Sequence, residues 1–238
     1  MKIATSVTKC AALKARIGRR YQTVTQPIAL GGRSYPFTRI ADPNRVLADV
    51  AAEEDRLEKI NGRRKDGDYL HLPYWAELWD SAYGIGQLLL DRFTEPGLNV
   101  LDLGCGMGFT GMVAASLGHR VMLADLEPDA LLFAQLNTLP YGDDIRARQL
   151  DWRNDRLGEQ FDLILGADIL YERRQWEFLE PFWREHLVAG GHVLLGEPGR
   201  KTGDDFPAWI EPLGWNIVHH PYLTATGRSI RLFDARRK

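Results

Sequence analysis

Cysteine is scarce in this chain of 238 residues: there are two, Cys10 and Cys105. One lies in the N-terminal tail and the other between glycines, so no disulfide framework or cysteine metal set follows. A reducing compartment, the cytoplasm, is the expected setting. No apolar run approaches the roughly eighteen residues that a membrane-spanning helix needs, so no membrane partner is expected. The formal net charge of -2 gives no general attraction to nucleic acid or to an anionic bilayer. The histidines, His71, His119, His186, His192, His219 and His220, never fall at metal-ligand spacing, and no metal is expected. There is no internal repeat, no low-complexity tract and no Gly-Lys-Ser/Thr element, which excludes a phosphate-binding P-loop.

What the chain does have is the stretch Asn99-Val-Leu-Asp-Leu-Gly-Cys-Gly-Met-Gly-Phe-Thr-Gly111. Val100 to Leu103 is a short apolar strand whose only acid is Asp102. Gly104, Gly106 and Gly108 follow at alternate positions, and Thr110 to Leu117 resumes as a helix. Glycines at this spacing admit positive φ and let a ligand approach the main chain. A dinucleotide fingerprint read from Gly104 fails, because its third glycine position is Phe109. Read from Gly106 it matches formally, but the strand-to-turn junction then falls two residues late. A nucleotide-type ligand is expected over a purely structural turn.

Hydrophobic residues make up 45% of the chain, enough for one generous α/β domain with an N-terminal extension. The division is placed between residues 1–70 and 71–238. Met1 to Gln22 carries Lys2, Lys9, Lys14, Arg16, Arg19 and Arg20 without an acid. It reads as a solvated basic arm or short helix, as a weak mimic of a transit peptide, or as a guide for an acidic protein. Between Tyr21 and Ile40, alternation around Val24, Ile28, Leu30, Tyr35 and Phe37 predicts a hairpin turning at Gly31-Gly32. Asp42-Pro43 caps a helix with Val46, Leu47, Val50, Leu57 and Ile60 on its apolar face, ending near Asn61-Gly62. Arg63 to Asp68 reads as an exposed loop.

The stretch His71 to Tyr83 concentrates aromatic residues ahead of a helix, Ser81 to Phe93. Trp75, Glu77 and Trp79 either line a ligand cavity or support one. After the glycine turn, the strand Arg120 to Ala124 ends in Asp125. An acid there, about twenty residues past the first glycine, suits a ribose diol, with a helix cap as the plainer reading. Ile145 to Leu150 is a third strand, followed by Asp151-Trp152. Phe161 to Asp168 is a fourth, nearly all apolar as a strand covered on both faces should be. An amphipathic helix to His186, a turn at Gly190-Gly191, a strand His192 to Gly196 and a short helix Phe206 to Leu213 come next. Trp215 to Leu223 and Ser229 to Ala235 close the chain as an antiparallel pair. The count gives a doubly wound, mostly parallel sheet of seven strands.

Asp102-Leu-Gly104-Cys-Gly106-Met-Gly108 resembles the first motif of the class I S-adenosylmethionine-dependent methyltransferases, Asp/Glu-x-Gly-x-Gly-x-Gly, at every defined position. Pro73-Tyr-Trp-Ala-Glu-Leu-Trp-Asp-Ser-Ala82, Asp151-Trp152 and Gly166-Ala-Asp-Ile-Leu-Tyr171 resemble one subgroup, the family 16-like enzymes that include many protein lysine methyltransferases. Glu197-Pro-Gly-Arg200 is similar to its bacterial members. The resemblance runs from about Pro73 to the C-terminus. It implies a Rossmann-like seven-stranded sheet with an antiparallel last strand, and S-adenosyl-L-methionine as cofactor.

Carried onto this chain, it implies that Gly104 to Gly108 holds the amino-acid end of the cofactor. Asp102 anchors the turn or meets the methionine ammonium, and Asp125 takes the ribose hydroxyls. Asp151 contacts the adenine amino group, Trp152 packs the ring, and Trp79 faces the cofactor from the other side. Asp168 and Tyr171 stand at the methyl-transfer point as catalytic residues. The plainer readings are a strand-end cap for Asp168 and core for Tyr171. The expected activity is N-methylation of a protein lysine. A small-molecule amine as acceptor, and a cofactor-binding interaction protein without transfer activity, are the alternatives.

Overall fold

The computed structural model describes residues 2–61 and 73–238. The predicted loop Arg63 to Asp68, the residue His71 and the division placed at residue 70 lie outside them. The chain begins with α1 (Lys2–Gly18), the hairpin β1 (Thr23–Leu30) and β2 (Arg33–Ile40), and α2 (Pro43–Asn61). α3 (Asp80–Arg92) leads into the alternation β3 (Asn99–Leu103), α4 (Phe109–Ser116), β4 (Arg120–Asp125), α5 (Pro128–Thr138), β5 (Ile145–Gln149), β6 (Phe161–Ala167) and α6 (Trp176–His186). β7 (Leu187–Glu197), the short helices α7 (Lys201–Asp204) and α8 (Phe206–Ile210), and the strands β8 (Trp215–Leu223) and β9 (Ser229–Arg237) complete it.

Seven strands form one sheet in the order β5-β4-β3-β6-β7-β9-β8. β3 to β7 run parallel, and β9 inserts antiparallel between β7 and β8. The chain leaves β3 toward β4 on one side and later returns to β6 on the other. That switch point opens a crevice beyond the carboxyl ends of the two central strands. Successive residues of β3 serve opposite faces: Val100 joins the cluster containing the hairpin, α3, α4 and α5, whereas Leu101 and Leu103 join the one under α6 and α8. A covered sheet on both faces explains why β3 and β6 read as continuous apolar runs.

The extension is built into the first of these layers. Gly31 and Gly32 turn the hairpin with φ of 55° and 73°, the left-handed pair that a two-residue turn requires. Its register sets Ile28 opposite Tyr35, and Ile28, Leu30, Tyr35 and Phe37 are buried as the alternation predicts. The Asn137 side chain on α5 locks the hairpin in place. It accepts the Thr38 N–H at 2.8 Å and donates to the Thr38 and Met107 carbonyls, both at 2.9 Å.

Three sequence-based expectations shift. The basic N-terminal segment takes the helical alternative to a solvated arm, but it is docked: α1 buries Leu13 and Ile17, four residues apart on one face, and packs against α5. In α2, Asp42 caps as expected, accepting the Asn44 and Arg45 N–H groups at 3.1 and 3.3 Å. Val46 of that helix packs on the core, but Leu47 and Ile60 are exposed. β7 begins at Leu187, directly after α6, so Gly190-Gly191 is an irregularity inside a strand and not the turn before it. Phe161 pairs with Leu187 and Leu163 with His192, and the extra residues bulge between them.

Candidate functional site

A cavity of about 570 Å³ occupies the switch-point crevice, within the usual range for small-molecule sites. Its floor is the turn between β3 and α4. Gly106 and Gly108 take φ of 52° and 83°, and the Gly108 N–H donates to the Cys105 carbonyl at 2.8 Å. Gly108 lies behind the turn, where its α-carbon side is packed against Ala134 of α5. A Cβ there would sit 2.7 Å from Ala134 Cα and Cβ. Gly104 and Gly106 form the cavity wall, with Cys105 between them. At Gly106 a Cβ would meet the Trp75 carbonyl oxygen at 3.4 Å and the Trp75 Cα at 3.8 Å.

The structure separates the two roles open to Asp102. Its side chain is buried and does not line the cavity. One oxygen accepts the Thr110 hydroxyl and the other the Gly111 N–H, each at 2.7 Å. These bonds tie β3 to the first turn of α4, which is the anchoring role. Burial lifts this carboxyl from 3.8 to about 6, against the opposing pull of both donors.

Asp125, at the end of β4, does face the cavity. Its Oδ2 accepts the Gly106 N–H at 2.8 Å and its Oδ1 the Glu127 N–H at 2.9 Å. Each carboxylate oxygen retains a second lone-pair direction for a hydroxyl. Burial raises this group to about 6 as well, with the two N–H donors pulling the other way. Glu127, which precedes α5, also reaches the cavity. Its position as helix N-cap concealed that in the sequence.

After β5, Asp151 and Trp152 form the adjoining wall. Arg153 curls back on Asp151 with contacts of 2.8 Å (Nε to Oδ1) and 2.7 Å (Nη2 to Oδ2), and holds that carboxyl below its usual range. The Trp152 indole N–H donates to Gln175 at 3.1 Å, which sets the plane of the ring. The adenine assignment therefore meets a carboxylate that already has a cationic partner.

At the opposite end, β6 delivers Asp168. It is the one non-glycine residue at positive φ, 61°, among those described. Its N–H donates to the Gly196 carbonyl at 2.9 Å, and its carboxylate accepts both terminal nitrogens of Arg200, Nη2 at 3.1 Å and Nη1 more closely. Burial raises the Asp168 carboxyl above its ordinary value and the guanidinium opposes that rise.

Tyr74, Trp79 and Tyr171 frame this end. Tyr74 meets Trp79 and Tyr171 edge to face, with centroids 6.2 and 5.7 Å apart, and the Trp79 indole N–H donates to the Tyr74 carbonyl at 2.9 Å. Trp75 and Glu77 line the same cavity. Trp75 also packs edge-on against Tyr21, with ring centroids 5.6 Å apart, so the segment after α1 buttresses the wall.

Thus Trp75, Glu77, Trp79, Gly104, Gly106, Asp125, Asp151, Trp152, Asp168 and Tyr171 converge on one cavity, while Asp102 and Gly108 stand behind it. Sequence reasoning missed Arg200 as the partner of Asp168, Arg153 as the partner of Asp151, and Gln175. Among the described residues, no cluster of metal-ligating side chains is present.

The sheet order, the switch-point cavity and the glycine turn define the class of S-adenosylmethionine-dependent methyltransferases. Consistent with that, the N-methyltransferase NodS from Bradyrhizobium japonicum, solved with S-adenosyl-L-homocysteine, superposes with a TM-score of 0.55 at 21% identity. That match covers 65% of this chain and 85% of NodS. A lysine methyltransferase family model matches residues 75–205, more than half of the chain, and the chain belongs to that family.

Among its relatives, protein N-lysine methyltransferase METTL21A of Danio rerio is 36% identical over 141 residues, covering 56% of this chain and 64% of that protein. The electron transfer flavoprotein beta subunit lysine methyltransferase of Mus musculus is 33% identical over 132 residues, covering 54% and 51%. The histidine protein methyltransferase 1 homolog of Dictyostelium discoideum is 32% identical over 127 residues, covering 50% and 41%. The matches thus span less than two-thirds of each relative's length.

The residues present suit S-adenosylmethionine. Gly104 and Gly106 put main chain without side chains on the cavity wall, Asp125 offers acceptors to a diol, and Trp152 presents an aromatic surface.

Proposed function

We propose that this protein transfers a methyl group from S-adenosylmethionine to the side-chain nitrogen of a lysine in a protein substrate. One observation carries the reading. A single cavity has the glycine turn and Asp125 at one end and a buried carboxylate, Asp168, within a frame of three aromatic rings at the other. The first end suits the cofactor. The second suits an amine that is cationic before transfer and again after it, because ring faces and a carboxylate both attract alkylammonium groups. A histidine acceptor has less need of such a frame.

The bound cofactor supplies an activated methyl group on a sulfonium, so the protein's work is positioning and exclusion of water. The turn and Asp125 fix the cofactor's depth, with Asp102 holding the turn to α4 from beneath. Asp151 and Trp152 bound the adenine end. Tyr171 and Trp79 narrow the acceptor path. A lysine must lose its proton to attack, and its free pKa is about 10.4. Desolvation among aromatic rings lowers that value, whereas a bare carboxylate raises it. Asp168, buried and balanced by Arg200, therefore serves as an orienting acceptor and not as the base. A cytoplasmic setting belongs to the same proposal and rests on two cysteines that form no disulfide.

The test is incubation of the protein with methyl-labelled S-adenosylmethionine and a cell extract, followed by amino-acid analysis of the labelled bands. Methyl-lysine is the expected product. Label recovered as methyl-histidine would correct the acceptor, label in small solutes would indicate a free amine, and no transfer would leave a binding scaffold.

A further inference from the structure

The loop after β7 does more than close the fold. Glu197, the last residue of β7, is buried, and its carboxylate accepts the Gly199 N–H at 2.9 Å, the Arg200 N–H and the Arg231 Nε at 2.8 Å. Arg231 then donates to the Arg200 carbonyl at 2.7 Å and pairs with Asp204. The Arg200 backbone is therefore held at both its N–H and its carbonyl. Its side chain, paired with Asp168, is more open: it is 36% exposed, while that of Asp168 is 4% exposed. The guanidinium lies 5.6 Å from the centre of the Trp79 ring while it contacts Asp168. A cation thus already pairs with Asp168 and lies over Trp79, two residues that line the end of the cavity assigned to the acceptor, although Arg200 itself does not line it.

We propose that Arg200 is a resident stand-in for the acceptor's ammonium group, and that an entering alkylammonium binds by exchanging with it on Asp168. The inference rests on the amine-methylation reading and adds its specificity determinant. The exchange solves a charge problem. With Arg200 in place, Asp168 is never an uncompensated buried carboxylate, which would be costly. The displaced guanidinium needs only side-chain rotation to reach water, since its backbone is stapled by Glu197 and Arg231. A neutral group gains nothing from Asp168 and must still break the ion pair, so the site selects cations. Once released, Arg200 remains close by and opposes the rise in acceptor pKa that Asp168 alone would cause. Arg200 acts through Asp168 and is a positioning residue.

The probe is n-butylammonium, which reproduces the end of a lysine side chain. It would be titrated by ligand-observed NMR into the wild type, Arg200→Gln, Arg200→Lys and Asp168→Asn, each with and without saturating S-adenosylhomocysteine. Loss of the competing cation should tighten butylammonium binding in Arg200→Gln by about tenfold, the equivalent of about 1.4 kcal/mol. Arg200→Lys should return it toward the wild type, and Asp168→Asn should bind it more weakly than the wild type. A merely structural role cannot produce tighter binding. Equal or weaker binding in Arg200→Gln overturns the exchange. The homocysteine arm is separate: if the wild type fails to bind that ligand, the methyltransferase reading falls whatever the butylammonium result.

Discussion

Replacing Gly108 by alanine tests the packing argument beneath the cofactor turn. The residue holds φ of 83°, and a side chain there costs about 1–2 kcal/mol in backbone strain alone. Its Cβ would stand 2.7 Å from both Ala134 Cα and Cβ, where carbon contacts normally lie at about 3.5–4.0 Å. One of those atoms is backbone, so α4 and α5 must move apart by about 1 Å. Overpacking of that kind costs about 1–3 kcal/mol. The expected loss is thus about 2–5 kcal/mol, or a fall in Tm of about 4–20 °C for a chain of this size.

Gly106→Ala is the internal comparison. Its φ of 52° carries similar strain, but the nearest atom is a carbonyl oxygen 3.4 Å away. That variant should lose only about 1–2 kcal/mol, yet it places a methyl on the cavity wall and should weaken S-adenosylhomocysteine binding more per unit of stability lost. Urea unfolding of the two variants, read beside calorimetric titration of the ligand, makes the comparison. A Gly108→Ala protein as stable as Gly106→Ala would refute the reasoning.

Three further perturbations follow from the carboxylates. Asp102 is raised from 3.8 to about 6, so between those values the folded state holds a proton that the unfolded chain has released. Its contribution is fully present below about pH 4 and is lost as pH rises through about 6, a change of about 3 kcal/mol. Asp102→Asn should remove that part of the slope in urea unfolding across pH 4–7, though Asp125 retains its own share; an unchanged slope counts against the burial argument. Asp125→Ala should weaken S-adenosylhomocysteine binding by about 10- to 100-fold, since each charge-assisted hydrogen bond is worth about 1.5–3 kcal/mol. Unchanged affinity in calorimetry would remove Asp125 from the cofactor site. Asp168→Asn should keep that affinity and lose turnover by about a hundredfold through mispositioning of the acceptor. Loss of cofactor binding without a separate turnover defect would move Asp168 to the cofactor end.

The parts of the site legible in the sequence are those that strand ends and local spacing encode. Gly104, Gly106 and Gly108 mark a turn because no other residue tolerates those backbone angles so close together, and Asp125 is found by counting to the next strand end. The ion pair of Asp168 with Arg200 spans 32 residues, across α6 and β7, and no periodicity records such a meeting. The same limit left two roles open for Asp102, of which the structure selects the anchor. Thr110 and Gly111 become its partners only when α4 folds back over the strand. In α1, two buried residues amid basic ones are too weak an apolar stripe to announce docking on α5. Gly190-Gly191 misled for the opposite reason: a bulge inside a strand uses the residues that ordinarily end one.

The four carboxylates at the carboxyl ends of β3 to β6 are balanced in two different ways. Asp102 and Asp125 are held by backbone N–H groups, with the Thr110 hydroxyl added at Asp102. Such partners move only if the fold moves, so these acids fix the depth and shape of the turn. Asp168 is held by an arginine side chain instead, and Asp151 adds the Arg153 guanidinium to the Arg153 N–H and the Asn154 amide, both at 3.0 Å. A side chain can leave while the backbone stays, so these positions permit exchange of partner. Arg153 is two residues from Asp151 and keeps its charge nearby after any such exchange. Arg200 arrives from the loop after β7, and its side chain is partly exposed. The sheet therefore concentrates rigid acceptors where the cofactor must be held in one place, and replaceable cations where a ligand group must enter.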